Sequence, residues 1–257
     1  MLSQIKNLLK RGLEIDKLTK QSSQLHQRIT DIEYAIDTML ESPEYIETDT
    51  LGFNGQKIRK EIFKQITSQI KFDTIIETGT WLGNTTGFMA QNSHLPVYSA
   101  EIIKRSHLIA KNRLKKLESI MLELSDSRSF LIRCSNNENL NKRRVFFYLD
   151  AHWYEDLPLF SEIEIISNTW DEFVIMIDDF KVPDDKGYGY DDYGPNKSLS
   201  LDYIMPTIKK HDLCVFFPSI SSTEETGAKR GCAIICKNNT IAKILDQTPL
   251  ITKRFRE

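Results

Sequence analysis

Acids close several apolar runs of this sequence: Glu77, Glu101, Asp150 and the pair Asp178-Asp179. If the runs are parallel strands, their carboxyl ends share one sheet edge and the carboxylates converge there. A single acid in such a place is ordinarily a helix cap, but several on one edge repel unless a cation or a donor offsets them. Asp150, Asp178 and Asp179 would stand on adjacent strands. That arrangement suits a hard divalent cation, Mg²⁺ or Ca²⁺, with open positions that hold a substrate hydroxyl and lower its pKa. Without a metal, His152 is the natural general base, and its bland alternative is a structural hydrogen bond.

A second group of residues forms a turn, Glu77-Thr78-Gly79-Thr80-Trp81-Leu82-Gly83-Asn84-Thr85-Thr86. It reads as a buried strand, a tight loop and a helix whose first amides face a ligand. Glu77 would repel a phosphate and suits a ligand carrying positive charge. The glycine pattern is not the G-x-G-x-x-G of a dinucleotide site, and no P-loop lysine follows. Glu101 lies 22 residues beyond Gly79, the spacing at which a carboxylate accepts hydrogen bonds from ribose hydroxyls. A nucleoside without phosphate, bearing a positive group, fits both features.

The elements that must position these residues alternate. Strands are expected at 72–77, 96–101, 120–124, 145–150, 173–179, 213–217 and 231–236, with helices at 56–70, 84–91 and 104–117 between the early ones. That order predicts an α/β domain over 46–257 with a doubly wound, mostly parallel sheet. Residues 1–45 differ. Ile15, Leu18, Ser22, Leu25, Ile29, Ile32, Ile36 and Met39 step by three and four, a heptad seam broken only by Ser22. It predicts a helical arm, either a coiled coil that makes a homo-oligomer or an amphipathic helix packed on its own domain. Gly12 is expected to set the first dozen residues apart, and Pro43 to stop the helix. The segment 181–198 is rich in Gly, Tyr and Asp and reads as a lid or substrate wall.

Composition narrows the partners. The 257 residues are 40% hydrophobic and 27% charged with a net charge of −2, ordinary for a globular protein and without the basic excess of a nucleic-acid binder. No apolar run approaches the ~18 residues of a membrane span, and the first residues lack the pattern of a signal peptide. Cys134, Cys214, Cys232 and Cys236 form no C-x-x-C pair, which suggests core thiols in a reducing cytoplasm.

These motifs resemble class I S-adenosylmethionine-dependent methyltransferases over roughly residues 55–237. Glu77, Thr78, Gly79, Thr80, Gly83, Thr85 and Thr86 match the turn that wraps the methionine part of the cofactor. Glu101 matches the acid that holds the ribose, and Ser125, Asp126 and Ser127 the loop beside the adenine. A nearer likeness is to metal-dependent O-methyltransferases of the catechol and macrolide-sugar kind, in which aspartates closing the fourth and fifth strands bind magnesium. Asp150 and the Asp178-Asp179 pair occupy those places. The catechol enzymes carry a lysine base after the first metal aspartate; here His152 stands nearby instead. The resemblance implies a Rossmann-like seven-stranded sheet with one antiparallel strand near the C-terminus. It also implies S-adenosylmethionine as cofactor and methyl transfer to a hydroxyl of a sugar, glycan precursor or other small molecule. Trp153, Tyr188, Tyr190, Tyr193 and Arg230 are the candidate acceptor contacts, although Arg230 also suits a solvated loop tip. A metal-independent methyltransferase with His152 as base, and a non-catalytic nucleoside-binding scaffold, remain alternatives.

Overall fold

The computed structural model describes residues 2–41, 48–152, 156–237 and 240–253, and the chain divides into two compact units, Met1–Tyr45 and Ile46–Glu257. In the first unit α1 spans Leu2–Glu41 as one helix. Gly12 does not set off a separate piece. Its cost of about 1 kcal/mol relative to Ala is absorbed by a helix of this length. Ile15, Leu18, Leu25, Ile29 and Ile32 of the seam are exposed. The side chains of Ile36 and Met39, and the stop at Pro43, lie outside the described residues.

The second unit opens with α2 (Thr48–Leu51) and a tight turn at Gly52–Gly55. There follow α3 (Lys57–Gln69), β1 (Thr74–Thr78), α4 (Asn84–Ser93), β2 (Val97–Glu101), α5 (Lys104–Leu114) and β3 (Ile120–Leu124). Next come α6 (Ser127–Asn136), β4 (Val145–Leu149), α7 (Leu159–Thr169), β5 (Phe173–Ile177) and α8 (Leu201–Lys210). The chain then forms β6 (Leu213–Pro218), β7 (Ala233–Lys237), α9 (Thr240–Leu245) and β8 (Ile251–Lys253). The sheet has eight strands in the order β3-β2-β1-β4-β5-β7-β6-β8. Strands β1 to β5 pair in parallel, whereas β7 runs antiparallel to β5 and β6, and β8 antiparallel to β6. The expected seven strands with one antiparallel are thus corrected to eight with two. The added β8 is three residues long, too short to carry a period in sequence.

Strands β4, β5 and β6 read as unbroken apolar runs because both faces are covered. From β4, Phe147 and Leu149 join Ile163 and Ile166 of α7 and Ile204 of α8 in one core. Phe146 and Tyr148 point the other way, into Ile62, Phe63 and Ile66 of α3 and Phe88 of α4. Each such side chain, fully buried, contributes roughly 1.5–3 kcal/mol. This three-layer build fixes strand register, and register fixes which side of the edge each terminal residue faces. After β1 the chain proceeds to β2 on one side, while β4 returns on the other, so a crevice opens beyond the carboxyl ends of β1 and β4. No helix among the described residues is long and apolar enough to cross a membrane.

Candidate active site

A cavity of about 790 Å³ occupies that crevice. Sheet order places the ends of β3, β2, β1, β4 and β5 side by side, and strand spacing of ~4.8 Å spreads them over roughly 19 Å. Ser125, Glu101, Gly79, Asp150 and Asp179 therefore follow one another along the cavity. Gly79 is obligatory. It has φ +86°, and a Cβ on it would lie 2.2 Å from the Asp150 carbonyl oxygen. The bare backbone lets the β1 turn press against the end of β4.

Of the expected cofactor residues, Gly79, Thr80, Thr85, Glu101, Ser125, Asp126 and Ser127 line the cavity, as does Asp150. Glu77, Thr78, Gly83 and Thr86 stand outside its lining. Glu77 is fully buried, and its Oε2 accepts hydrogen bonds from the hydroxyls of Thr86 and Ser99, both at 2.5 Å. Through Oε2 it braces β1 against α4 and β2, while its Oε1 has no hydrogen-bond partner among the described residues. Burial pushes its pKa up to about 7, against those two hydrogen bonds.

At the β2–β3 end, Glu101 accepts the Trp81 N–H through Oε2 and the Ile103 N–H through Oε1, each at 2.7 Å. Burial raises its pKa despite these donors. Ile102 and Ile103 line the cavity beside it yet are 66% and 40% exposed. An apolar strip open to a cavity, next to a fixed carboxylate, is what a flat base and its ribose would cover. Asp126 caps α6 by accepting the Ser129 N–H at 3.1 Å, and Arg128 bridges it to Asp156. The arginine hydrogen bond lowers the Asp126 pKa.

The β4–β5 end holds the titratable cluster. His152 is 7% exposed, and its Nε2 has no hydrogen-bond partner among the described residues. That nitrogen lies 3.7 Å from Asp150 Oδ1, 3.7 Å from Asp179 Oδ2 and 3.8 Å from Asp191 Oδ2. One ligand atom each from Asp150, His152 and Asp179 falls within 4.8 Å of the others, close enough to share one ion. An orphaned buried nitrogen aimed between two carboxylates fits a metal. Burial opposes the charge on His152, but Asp179, Asp150 and Asp191 outweigh it and raise its pKa. Burial also raises the pKa of Asp150, whereas His152 and Arg230 hold that of Asp179 low against burial.

Asp178, expected as a third metal ligand, is turned away from the cavity. It is fully buried, with Oδ1 paired to the Arg59 guanidinium and Oδ2 accepting the Tyr148 hydroxyl at 2.6 Å. Arg59 also donates to the carbonyls of Arg230 and Gly231. Strand alternation explains the swap. Ile177 faces the α7 side, so Asp178 faces the α3 side, and Asp179, at φ +52°, swings into the cavity.

The tyrosine-rich segment is a stitched strap and not a free lid. Lys181 N–H donates to Leu199, Asp191 N–H to Asp179, Leu199 N–H to Asp191 and Gly231 N–H to Gly189. Tyr188 is buried with its hydroxyl on the Ile220 carbonyl, which removes it from the acceptor candidates. Tyr190 lies under the Lys181 ammonium, and Tyr193 donates its hydroxyl to Asp191. Arg230 is no solvated tip, since it bridges Asp179 and Asp191. Trp153 lies outside the described residues.

Sequence reasoning missed Asn54, Asp156 and Asp191 in the lining, and Arg59 behind it. Asn54 is presented by successive left-handed residues, Phe53, Asn54 and Gly55, with nothing in their types to announce it. Arg59 did leave a signal: it stands on the apolar stripe of α3, one turn before Ile62 and Phe63.

No family model and no curated protein matches the chain by sequence. Solved structures do match it in shape. An O-methyltransferase from Bacillus cereus in complex with SAH superposes with TM-score 0.55 at 15% identity, covering 78% of this chain and 91% of that one. TomG from Streptomyces achromogenes, an O-methyltransferase involved in tomaymycin synthesis and bound to SAM, gives 0.54 at 12% identity, covering 80% and 90%. An SAH-bound methyltransferase of Podospora anserina gives 0.51 at 11% identity, covering 79% and 88%. Over 78–80% of its length the chain has the fold of these S-adenosylmethionine-dependent methyltransferases.

Proposed function

We propose that this chain transfers the methyl group of S-adenosylmethionine to a hydroxyl oxygen of a small acceptor, with a divalent cation held by Asp150, His152 and Asp179. The observation that carries this reading is one cavity joining the Glu101 strip to the buried His152 nitrogen, which makes no hydrogen bond and has three carboxylates within 3.8 Å. Glu101 accepts the ribose hydroxyls, Ile102 and Ile103 flank the base, and the Gly79 turn brings the sulfonium end toward Asp150. Transfer is an in-line displacement: the acceptor oxygen bonds the methyl carbon, the C–S bond breaks to release S-adenosylhomocysteine and the hydroxyl proton passes to solvent, so most of the catalysis is positioning. The bound ion would supply a Lewis acid that lowers the pKa of the acceptor hydroxyl. Asp191, which lines the cavity and is held by Arg230, forms the acceptor wall. Acids dominate that end of the cavity, and Arg128 and Arg230 are already paired, which favours a neutral polyhydroxyl acceptor such as a sugar over a phosphate or carboxylate. The imidazole ligand also shifts the expected ion from Mg²⁺ or Ca²⁺ toward Mn²⁺, Fe²⁺, Co²⁺ or Zn²⁺, which accept nitrogen more readily.

Calorimetric titration of chelator-treated protein with Mn²⁺ and with Mg²⁺ tests the metal half. Mn²⁺ should bind the more tightly, and His152→Ala or Asp179→Asn should lose it while S-adenosylhomocysteine affinity stays within a few-fold. Equal binding by the variants would sink the ligand assignment. A second reading has its own support: Arg230 already pairs with both Asp179 and Asp191, which lowers the negative charge available to a metal and leaves His152 as the base. Turnover that survives chelation but not His152→Ala would establish it.

A further inference from the structure

We infer that the exposed seam of α1 is the contact surface for a second copy of this chain, in a parallel, in-register, two-stranded coiled coil. Between Glu14 and Glu33, where side chains are described, the a positions are Ile15, Ser22 and Ile29 and the d positions Leu18, Leu25 and Ile32. All six are exposed, the five apolar ones by 46–63%. A stripe of that kind spans roughly 26 Å of helix and is costly to leave in water.

Three features choose this occupant and orientation. β-Branched Ile15 and Ile29 at a with Leu18 and Leu25 at d favour two strands over three or four, a preference that outweighs the single Ile32 at d. Parallel register brings Ser22 opposite Ser22 of the other copy, confining the polar break to one layer; an antiparallel pair would set each serine against an apolar d residue. Charge agrees: Arg28 at g and Glu33 at e are both exposed, and in a parallel dimer each Arg28 meets Glu33 of the other copy. The inference goes beyond the proposed catalysis and is independent of it.

Light scattering on the full chain reads the mass directly. The expected value is twice the 29.8 kDa of one chain. The double variant Leu25→Lys/Ile29→Lys should return the monomer mass while circular dichroism and the thermal melt show a folded α/β domain. Orientation is read by Ser22→Cys with oxidised glutathione. Parallel strands should give a rapid covalent dimer on a non-reducing gel, which Lys20→Cys, on the outer f position, should not. The native cysteines are buried and leave a clean background. A monomeric wild type, a dimer that persists in the double variant, or a dimer in which Ser22→Cys does not cross-link would each overturn the proposal.

Discussion

Replacing Arg59 with Met should cost more stability than any surface change, although Arg59 touches no ligand. Its side chain is 1% exposed and that of Asp178 fully buried. Removing the guanidinium leaves the Asp178 carboxylate with only the Tyr148 hydroxyl and the Asp179 N–H, and strips a donor from the Arg230 and Gly231 carbonyls. Breaking a buried pair in this way costs roughly 3–5 kcal/mol. Asp178→Asn alone should cost a similar amount, because it strands the arginine. The double variant should lose clearly less than the sum, with a coupling of up to about 3 kcal/mol. Urea unfolding followed by fluorescence measures all four proteins, and the full-length chain is used throughout. Asp178→Asn should leave Mn²⁺ affinity within a few-fold, in contrast to Asp179→Asn. A loss below about 1 kcal/mol for Arg59→Met, or additivity in the cycle, would refute the structural role assigned to the pair. Loss of metal affinity in a folded Asp178→Asn would restore Asp178 as a ligand.

Further outcomes follow from the same contacts. Glu77 titrates near 7 in the folded chain and near 4.5 when unfolded. Below pH 4.5 both states hold the proton; between 4.5 and 7 only the native state does, so stability falls as pH rises through this window. The difference corresponds to roughly 3 kcal/mol, and Glu77→Gln should lessen the fall in urea midpoints between pH 4.5 and 8, leaving the part that belongs to Asp150, whose pKa burial also raises. A wild-type and variant pair with parallel pH profiles would contradict it. The cation titration above should rank Mn²⁺ over Mg²⁺, and reversal of that order would return the site to an oxygen-only ligand set.

Much of this architecture was legible because buried parallel strands advertise themselves. The runs ending at Glu77, Glu101, Asp150 and Asp178 needed no register to be seen as strand ends, and Gly79 marked the turn between β1 and α4. What the sequence left open was which of two neighbouring acids faces the cavity. Asp178 and Asp179 differ only in the side of the sheet they point to, and that depends on the packing of Ile177 and Tyr148 across strands. The direction of Glu77 was open for the same reason: it lies on the α4 side, where the hydroxyls of Thr86 and Ser99 donate to it. Asp191 and Asn54 come from irregular backbone, where no periodicity links residue type to direction. The strap over 181–198 looked like a lid because its hydrogen bonds run to residues distant in sequence, such as Gly231.

The central claim is that the crevice at the ends of β1 and β4 binds S-adenosylmethionine through Glu101. Calorimetric titration of the purified chain with S-adenosylhomocysteine tests it most directly. The account predicts one site per chain, weakened about 10- to 150-fold in Glu101→Ala, the effect of losing a charged hydrogen bond worth roughly 1.5–3 kcal/mol. Absence of binding by the folded wild type, or undiminished affinity in Glu101→Ala, would contradict it.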